Sequence, residues 1–267
     1  MKGIKLCLVD IDDTFIGKNK KCPEINVKAI KEMRKKGIYF GIATGRPVDI
    51  VPRLFKEWGL EGEVDYVIGS NGAEILKCFT GIKKEQFLLS CDKIKKIEKE
   101  LSQLFYASIC VYEGTTLVTN KSTPYYIARC NSINLTMKVV DMNTYIQKSY
   151  PKMLVVSSPE EQTKILKYYQ NKLNKEYKLV SSSSILLEVI DPELSKVRGI
   201  LEVCKDLGIS KEEVICFGDA MNDYEMLHTF TGVCVSNAVD EIKSICKYQT
   251  GSCDEGGVGQ FIFKYLI

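Results

Sequence analysis

Asp10, Asp12 and Asp13 place three carboxylates within "DIDDT" (10–14), directly after the apolar run "IKLCLV" (4–9). Like charges this close repel, and a buried charge without a partner is costly. A bound cation would offset both penalties. A further carboxylate, Asp219, follows another apolar run in "FGDAMND" (217–223). Thr44, in "IATGRP" (42–47), offers a hydroxyl after a third run, and Gly45 begins a stretch whose backbone N–H groups suit an anion. Lys196, ahead of a helix in "DPELSKVRG", adds a positive charge. A hard divalent cation takes oxygen ligands, and Mg²⁺ in particular prefers a few carboxylates plus waters and a phosphate. Carboxylate nucleophile, second carboxylate two residues on, metal, hydroxyl and cation together make a kit for phosphoryl transfer. The two-residue step keeps Asp10 and Asp12 on one side of an extended chain.

The elements that must position these groups read as alternating strands and helices. After the strand at 4–9, "PEINVKAIKEMRKKG" (23–37) has Ala29, Ile30 and Met33 at helical spacing between Pro23 and Gly37. "IYFGIA" (38–43) is a strand, 47–58 a helix closed by Gly59, and "VDYVIGS" (64–70) a third strand. This rhythm predicts an α/β fold with a Rossmann-like, doubly wound parallel sheet, whose ligands sit at the carboxyl ends of the strands. "AEILKCFTGIKKEQFLL" (73–89) reads as a hairpin turning at Thr80-Gly81. Residues 86–184 change texture, mixing helices (92–105, 122–133, 159–173) with strands at 108–120, 152–158 and 177–190, as an inserted α+β cap with an antiparallel sheet. From Lys196 the earlier rhythm returns: a helix to Gly208, a strand at 213–219, a short helix at 223–230 and a strand at 232–237. The expected division is a core of 1–85 and 185–267 and a cap of 86–184.

The 267 residues carry a net charge of +3 and 45% hydrophobic residues, which is ordinary for a globular protein and too balanced for a general nucleic-acid binder. The Lys-rich "KIKKIEKE" (93–100) reads as the solvated face of a helix. Eleven cysteines suggest a disulfide or zinc framework, but no CxxC occurs and His228 is the only histidine. Cys7, Cys110, Cys216 and Cys234 lie in apolar runs, where a free thiol behaves as a small hydrophobe. With no signal-peptide or membrane-spanning run, the expectation is a cytoplasmic protein without membrane or nucleic-acid partners, monomeric or homodimeric.

In order, "DIDDT", "TGR" (44–46), Lys196 and "GDAMND" are similar to the four motifs of the haloacid dehalogenase-like superfamily, and most resemble those of its Cof-type, cap-carrying phosphatases. "SNGA" (70–73), "LLEV" (186–189), "SNA" (236–238) and the tail "DEGGVGQFI" (254–262) agree with that branch. The resemblance implies that Asp10 attacks phosphorus to form an aspartyl-phosphate. Asp12 would protonate the leaving oxygen and later deprotonate water. Thr44 and Lys196 would hold the phosphoryl oxygens, with Gly45 beside them. Asp10, the Asp12 carbonyl and Asp219 would hold Mg²⁺, with Asp223 acting directly or through water, and Asn222 would touch the phosphoryl group or orient Lys196. Asp13 stands where the commoner motif has Gly, a position suited to unusual backbone angles, and Val197 where Gly usually follows the lysine.

The implied reaction is Mg²⁺-dependent hydrolysis of a small phosphorylated metabolite, such as a sugar phosphate, a nucleotide, flavin mononucleotide or pyridoxal phosphate. A phosphomutase using the same aspartyl-phosphate and a non-catalytic sensor are the alternatives, and the cap would set specificity. Arg46 reads equally as a substrate contact or a loop salt bridge. Asn71 is a possible substrate contact, with a turn at Asn71-Gly72 favoured. Asn237 reads as structural, His228 as a packing residue, and the serine run 181–184 as a polar strand turn.

Overall fold

Leu6–Val9 forms β1, buried on both faces, as the central strand of a parallel sheet must be. The computed structural model describes residues 1, 3–170 and 176–267 and divides them into two compact units, Met1–Lys84 with Ser195–Ile267, and Glu85–Leu194.

In the first unit β1 is followed by α1 (Glu24–Lys35), β2 (Tyr39–Ala43), α2 (Arg53–Trp58), β3 (Tyr66–Gly69), β4 (Glu74–Lys77) and β5 (Ile82–Glu85). Helix α1 buries Asn26, Ala29, Ile30 and Met33 on one face. The helix expected over 47–58 is broken. Val48–Ile50 is a 3₁₀ turn and α2 begins after Pro52, which has no N–H to continue the ladder.

The second unit holds α3 (Cys91–Leu104), β6 (Ser108–Glu113), β7 (Thr116–Thr119), α4 (Pro124–Ser132), β8 (Thr136–Val139), α5 (Met142–Tyr145), β9 (Met153–Val156), α6 (Pro159–Gln170), β10 (Lys178–Ser183) and β11 (Leu186–Ile190). Its strand order is β10-β11-β9-β6-β7-β8. Every neighbouring pair in this sheet is antiparallel except β7 with β8, so the expected antiparallel sheet carries one parallel edge. Residues Ile109, Val111, Val118, Met153, Val155, Leu187 and Val189 share one sheet face and pack with Ile94, Ile97, Leu101 and Ile165 from α3 and α6. The serine run ends β10 at a bulge, a polar strand turn as expected. Positions 171–173 of the expected helix 159–173 lie outside the described residues. The second expected boundary is also displaced: β11 pairs with β10 and β9, so residues 185–194 belong to this unit and not to the core.

The chain returns to the first unit with α7 (Lys196–Leu207), β12 (Val214–Gly218), α8 (Tyr224–Thr229), β13 (Thr231–Val235), α9 (Asp240–Ile245), β14 (Tyr248–Thr250) and α10 (Gly257–Tyr265). The core sheet runs β14-β13-β12-β1-β2-β3-β4-β5, parallel from β14 to β3. Leu6, Leu8, Ala43, Ile68, Val214 and Cys216 pack there with Ile200 and Val203 of α7 and with Met226 and Leu227 of α8. All eleven cysteines are free thiols. Among the described residues no helix is long and apolar enough to cross a membrane.

Candidate active site

Strands β12, β1, β2 and β3 are consecutive neighbours, so the residues after them gather along one sheet edge. The Asp10 N–H donates to the Phe217 carbonyl at 3.0 Å, extending the β1–β12 ladder by one residue and setting Asp10 beside the Gly218–Asp219 turn. The chain then curls tightly: the Phe15 and Ile16 N–H groups both reach the Ile11 carbonyl, and Asp13 takes a left-handed φ of 60°. That conformation explains why an Asp is accepted here. Asn237 donates to the Asp13 carbonyl at 2.7 Å and accepts from the Cys253 N–H at 2.9 Å, the structural part expected of it.

After β2, the Thr44 N–H donates to the Ile68 carbonyl at 2.8 Å, and the buried Thr44 hydroxyl accepts from the Arg46 N–H at 3.2 Å. After β3, Ser70, Asn71 and Gly72 have φ of 47°, 58° and 104°. The turn expected at Asn71-Gly72 is therefore present, and the Asn71 N–H donates to the Thr44 carbonyl at 3.1 Å. A Cβ at Gly45 would lie 3.3 Å from Asn71 Oδ1, so these two turns are in contact. A Cβ on Gly72 would lie 2.2 Å from the Ser195 carbonyl oxygen, and one on Gly199 2.9 Å from Gly72 Cα. Two glycines thus let the turn press against the first turn of α7, where Lys196 is the first helical residue.

Lys196 is 2% exposed, and its Nζ donates to Asp10 Oδ1 and to Asp223 Oδ1, both at 2.6 Å. The other Asp223 oxygen accepts from the Asp219 and Ala220 N–H groups at 3.1 and 3.3 Å. Thr14, which the sequence reading did not single out, donates its hydroxyl to Asp219 Oδ1 at 2.6 Å. Asp10, Asp219 and Asp223 each offer a carboxylate oxygen within 4.8 Å of the others.

Three carboxylates facing one ammonium leave an excess of negative charge. Burial pushes the Asp10 carboxyl up to about 8, Lys196 pulling it down and Asp223 and Asp219 pushing it further up. Burial likewise lifts Asp219 to about 6, against the pull of the Thr14 hydrogen bond. Burial disfavours a charged Lys196, but Asp10 and Asp223 outweigh that and hold it protonated. A hard cation would remove the strain, and the donor set fits one: carboxylate oxygens only, close together and shielded from water.

Asp12 stands apart. Arg46 forks onto it, Nε to Oδ2 at 3.0 Å and Nη2 to Oδ1 at 2.7 Å, and Lys20 Nζ reaches Oδ1 at 2.8 Å. Burial raises its carboxyl, but the hydrogen bonds from Arg46 and Lys20 more than offset this and hold it below the usual carboxylate range. Of the two readings of Arg46, the structure has the salt bridge. The Asp12 side chain, expected near the metal only through its carbonyl, is directed to these cations. Asn222 is exposed, and Lys196 takes its partners from Asp10 and Asp223, so the expected orienting part of Asn222 passes to Asp223. His228 is exposed, not buried as a packing residue would be, and stacks on Tyr224 at 6.0 Å. Thr14 had a signal in closing "DIDDT"; Lys20, on a loop with no motif, had none.

A family model described as haloacid dehalogenase-like hydrolase matches residues 7–262. A Streptococcus pyogenes protein whose name calls it a phosphatase, without a stated substrate, is 27% identical over 99% of both chains. A 5-amino-6-(5-phospho-D-ribitylamino)uracil phosphatase of Bacillus subtilis is 24% identical over 99% of this chain and 96% of its own. Among solved structures, a haloacid dehalogenase-like hydrolase of Bacteroides thetaiotaomicron superposes with a TM-score of 0.88 at 24% identity, covering 98% of this chain and 99% of that one.

Proposed function

We infer that this chain, which belongs to the haloacid dehalogenase-like hydrolase family, is a Mg²⁺-dependent phosphatase of small phosphorylated metabolites. The observation that carries the reading is the buried meeting of Asp10, Asp219 and Asp223 with Lys196 at the ends of adjacent parallel strands. Asp10 is the nucleophile: its oxygen bonds phosphorus as the ester P–O bond breaks. Asp12 gives the leaving oxygen its proton, then takes one from the water that splits the aspartyl-phosphate. Thr44, the Gly45 backbone and Lys196 hold the phosphoryl oxygens, where negative charge develops. Asp10, Asp219 and the Asp12 carbonyl would hold Mg²⁺, while Asp223, with both oxygens engaged, secures Lys196 and the 219–220 turn. When bound, the ion neutralises the carboxylates and the phosphate, so that an anionic nucleophile can approach an anionic ester. The second unit, Glu85–Leu194, is assigned the choice of substrate, as a cap. The relative that acts on a phosphorylated ribityl chain favours polyol or sugar phosphates among the small esters.

The test is phosphate release from p-nitrophenyl phosphate and a panel of sugar phosphates, nucleotides, flavin mononucleotide and pyridoxal phosphate, with Mg²⁺ and with EDTA. Release that needs Mg²⁺ and is lost in Asp10→Asn is the expected result. Folded, Mg²⁺-binding protein that releases phosphate from no ester would overturn the reading in favour of a mutase or a sensor. Asp10→Asn with near-normal turnover would remove the nucleophile from it.

A further inference from the structure

Cys234 on β13 and Cys246 at the end of α9 bring two thiols together. Ile242 in α9 and Cys246 at its C-cap are one turn apart, and both pack on the apolar cluster that holds Cys234. The Cys234 thiol donates to the Tyr248 carbonyl at 3.7 Å and accepts a hydrogen bond from the Cys246 thiol. Cys234 is 1% exposed, whereas Cys246 is half-buried, so an oxidant reaches the pair from the Cys246 side. Once Cys234 loses its proton, the hydrogen bond from Cys246, aided by Lys243, favours the thiolate against burial and pulls Cys234 down to about 7. Elsewhere, Cys7, Cys110, Cys130 and Cys216 are sealed from solvent, and burial lifts Cys22 and Cys78 up to about 12.

The two elements that carry this pair also hold Asp219. Cys234 is the register partner of Gly218, the last residue of β12 before Asp219. The Val239 N–H, at the N-cap of α9, donates to the Asp219 carbonyl at 3.0 Å. Helix α9 thus has a thiol at one end and the backbone of Asp219 at the other. A disulfide needs its sulfurs about 2 Å apart, closer than any hydrogen-bonded pair of thiols, so closing the bond draws the end of α9 towards β13. A helix of only 6 residues passes such a movement to its other end, where it holds Asp219.

We propose that Cys234 and Cys246 form a reversible disulfide under a hydroperoxide, and that the bond loosens the hold of the Asp219 turn on a cation. The second part rests on the reading of Asp219 as a ligand of Mg²⁺. A proton first passes from Cys246 to Cys234 along their hydrogen bond. The Cys246 thiolate attacks one peroxide oxygen, the O–O bond breaks, and hydroxide leaves with its electron pair. Cys246 is then a sulfenic acid. The hydroxide takes the Cys234 proton and becomes water. The Cys234 thiolate attacks the Cys246 sulfur, the S–OH bond breaks, and a second hydroxide leaves behind the disulfide. The two sulfurs together lose two electrons, and the peroxide gains them. A small thiol reverses the bond by exchange.

The experiment treats the full chain with stoichiometric hydrogen peroxide, as wild type, Cys246→Ser and Cys234→Ala, and reads peptide masses and calorimetric Mg²⁺ affinity. Wild type is expected to yield a crosslinked Cys234–Cys246 peptide that dithiothreitol releases. Cys234→Ala, which lacks the second thiol, is expected to halt at a Cys246 sulfenic acid that dimedone traps. Mg²⁺ should bind oxidised wild type about tenfold more weakly than the reduced protein, the loss expected when a group behind a metal ligand is disturbed. Peroxide-treated Cys246→Ser should bind it as before. No crosslink, crosslinks among other cysteines in its place, or an equal fall in Mg²⁺ affinity in Cys246→Ser would overturn the proposal. Crosslinking with unchanged affinity would overturn the effect on the cation. If the reduced protein binds no Mg²⁺ at all, the metal reading itself fails, and the loosening of the cation falls with it.

Discussion

At the scale of single residues, the site is a problem in charge. Asp10 and Asp219, lifted by burial to about 8 and about 6, both ionise late. An acid whose folded pKa is raised binds more protons folded than unfolded, so the metal-free protein should lose stability as pH rises from the ordinary carboxylate range to about 8. Mg²⁺ competes with those protons and relieves the same repulsion. The rise in Tm produced by a fixed Mg²⁺ concentration should therefore be larger at alkaline than at mildly acidic pH. Equal rises at both, by differential scanning fluorimetry, would show that these carboxylates do not hold the ion. Much of this residue chemistry was legible in the sequence, because Asp10, Asp219, Asp223 and Lys196 stand at the ends of apolar runs that could only be strands or at a helix start. What was not legible is which carboxylate pairs with which cation. Asp12 pairing with Arg46 and Lys20, and Asp223 rather than Asn222 securing Lys196, are decided by side-chain directions that no spacing encodes.

At the scale of elements, Lys196 reaches Asp10 only because α7 begins where it does, and α7 is set by its contact with the Asn71-Gly72 turn. Gly72→Ala would place a methyl group 2.2 Å from the Ser195 carbonyl oxygen at a φ of 104°, so backbone must move. A loss of about 2 to 4 kcal/mol in urea unfolding is expected, from overpacking and a backbone forced off its conformation, together with a fall in turnover as Lys196 shifts. Gly81→Ala is the control. Its φ of 70° carries a similar conformational cost, but nothing lies within 4 Å of the new methyl group, so about 1 kcal/mol and near-normal turnover are expected. Similar losses in both variants would show that the Gly72 contact does not position the helix. The sequence showed Asn71-Gly72 as a turn but not its packing partner, which lies far along the chain. For the same reason the short α9 and α10 and the edge strands β8 and β14 went unread, since neither length nor periodicity marks them strongly. The break at Pro52 was readable in principle, but the apolar spacing of 47–58 outweighed it.

At the scale of the whole molecule, the chain builds two bodies, each with its own sheet and its own apolar cluster. The change of texture near residue 85 was legible because Lys84 and Glu85 close a hairpin. The return was not, because "LLEV" looks alike whether β11 ends one sheet or opens another, and only its pairing with β9 and β10 decides. Each body also carries a buried ion pair: Lys196 with Asp10 and Asp223 in the first, and Lys152 with Glu188, 2.7 Å apart on β11 and just before β9, in the second. Removing one partner of such a pair strands a charge and costs about 3 to 5 kcal/mol. Separate cores predict separable unfolding, so a urea titration followed by circular dichroism and the fluorescence of Trp58, which lies in the first body, should resolve two steps. Lys196→Met should lower the midpoint of the step reported by Trp58, and Lys152→Met the midpoint of the other. The double change Lys152→Met with Glu188→Leu should recover most of that loss, since no buried charge is then left unpaired. A single transition shifted alike by both lysine substitutions would mean that the two bodies unfold as one, and that the inserted unit lends its stability to the catalytic sheet.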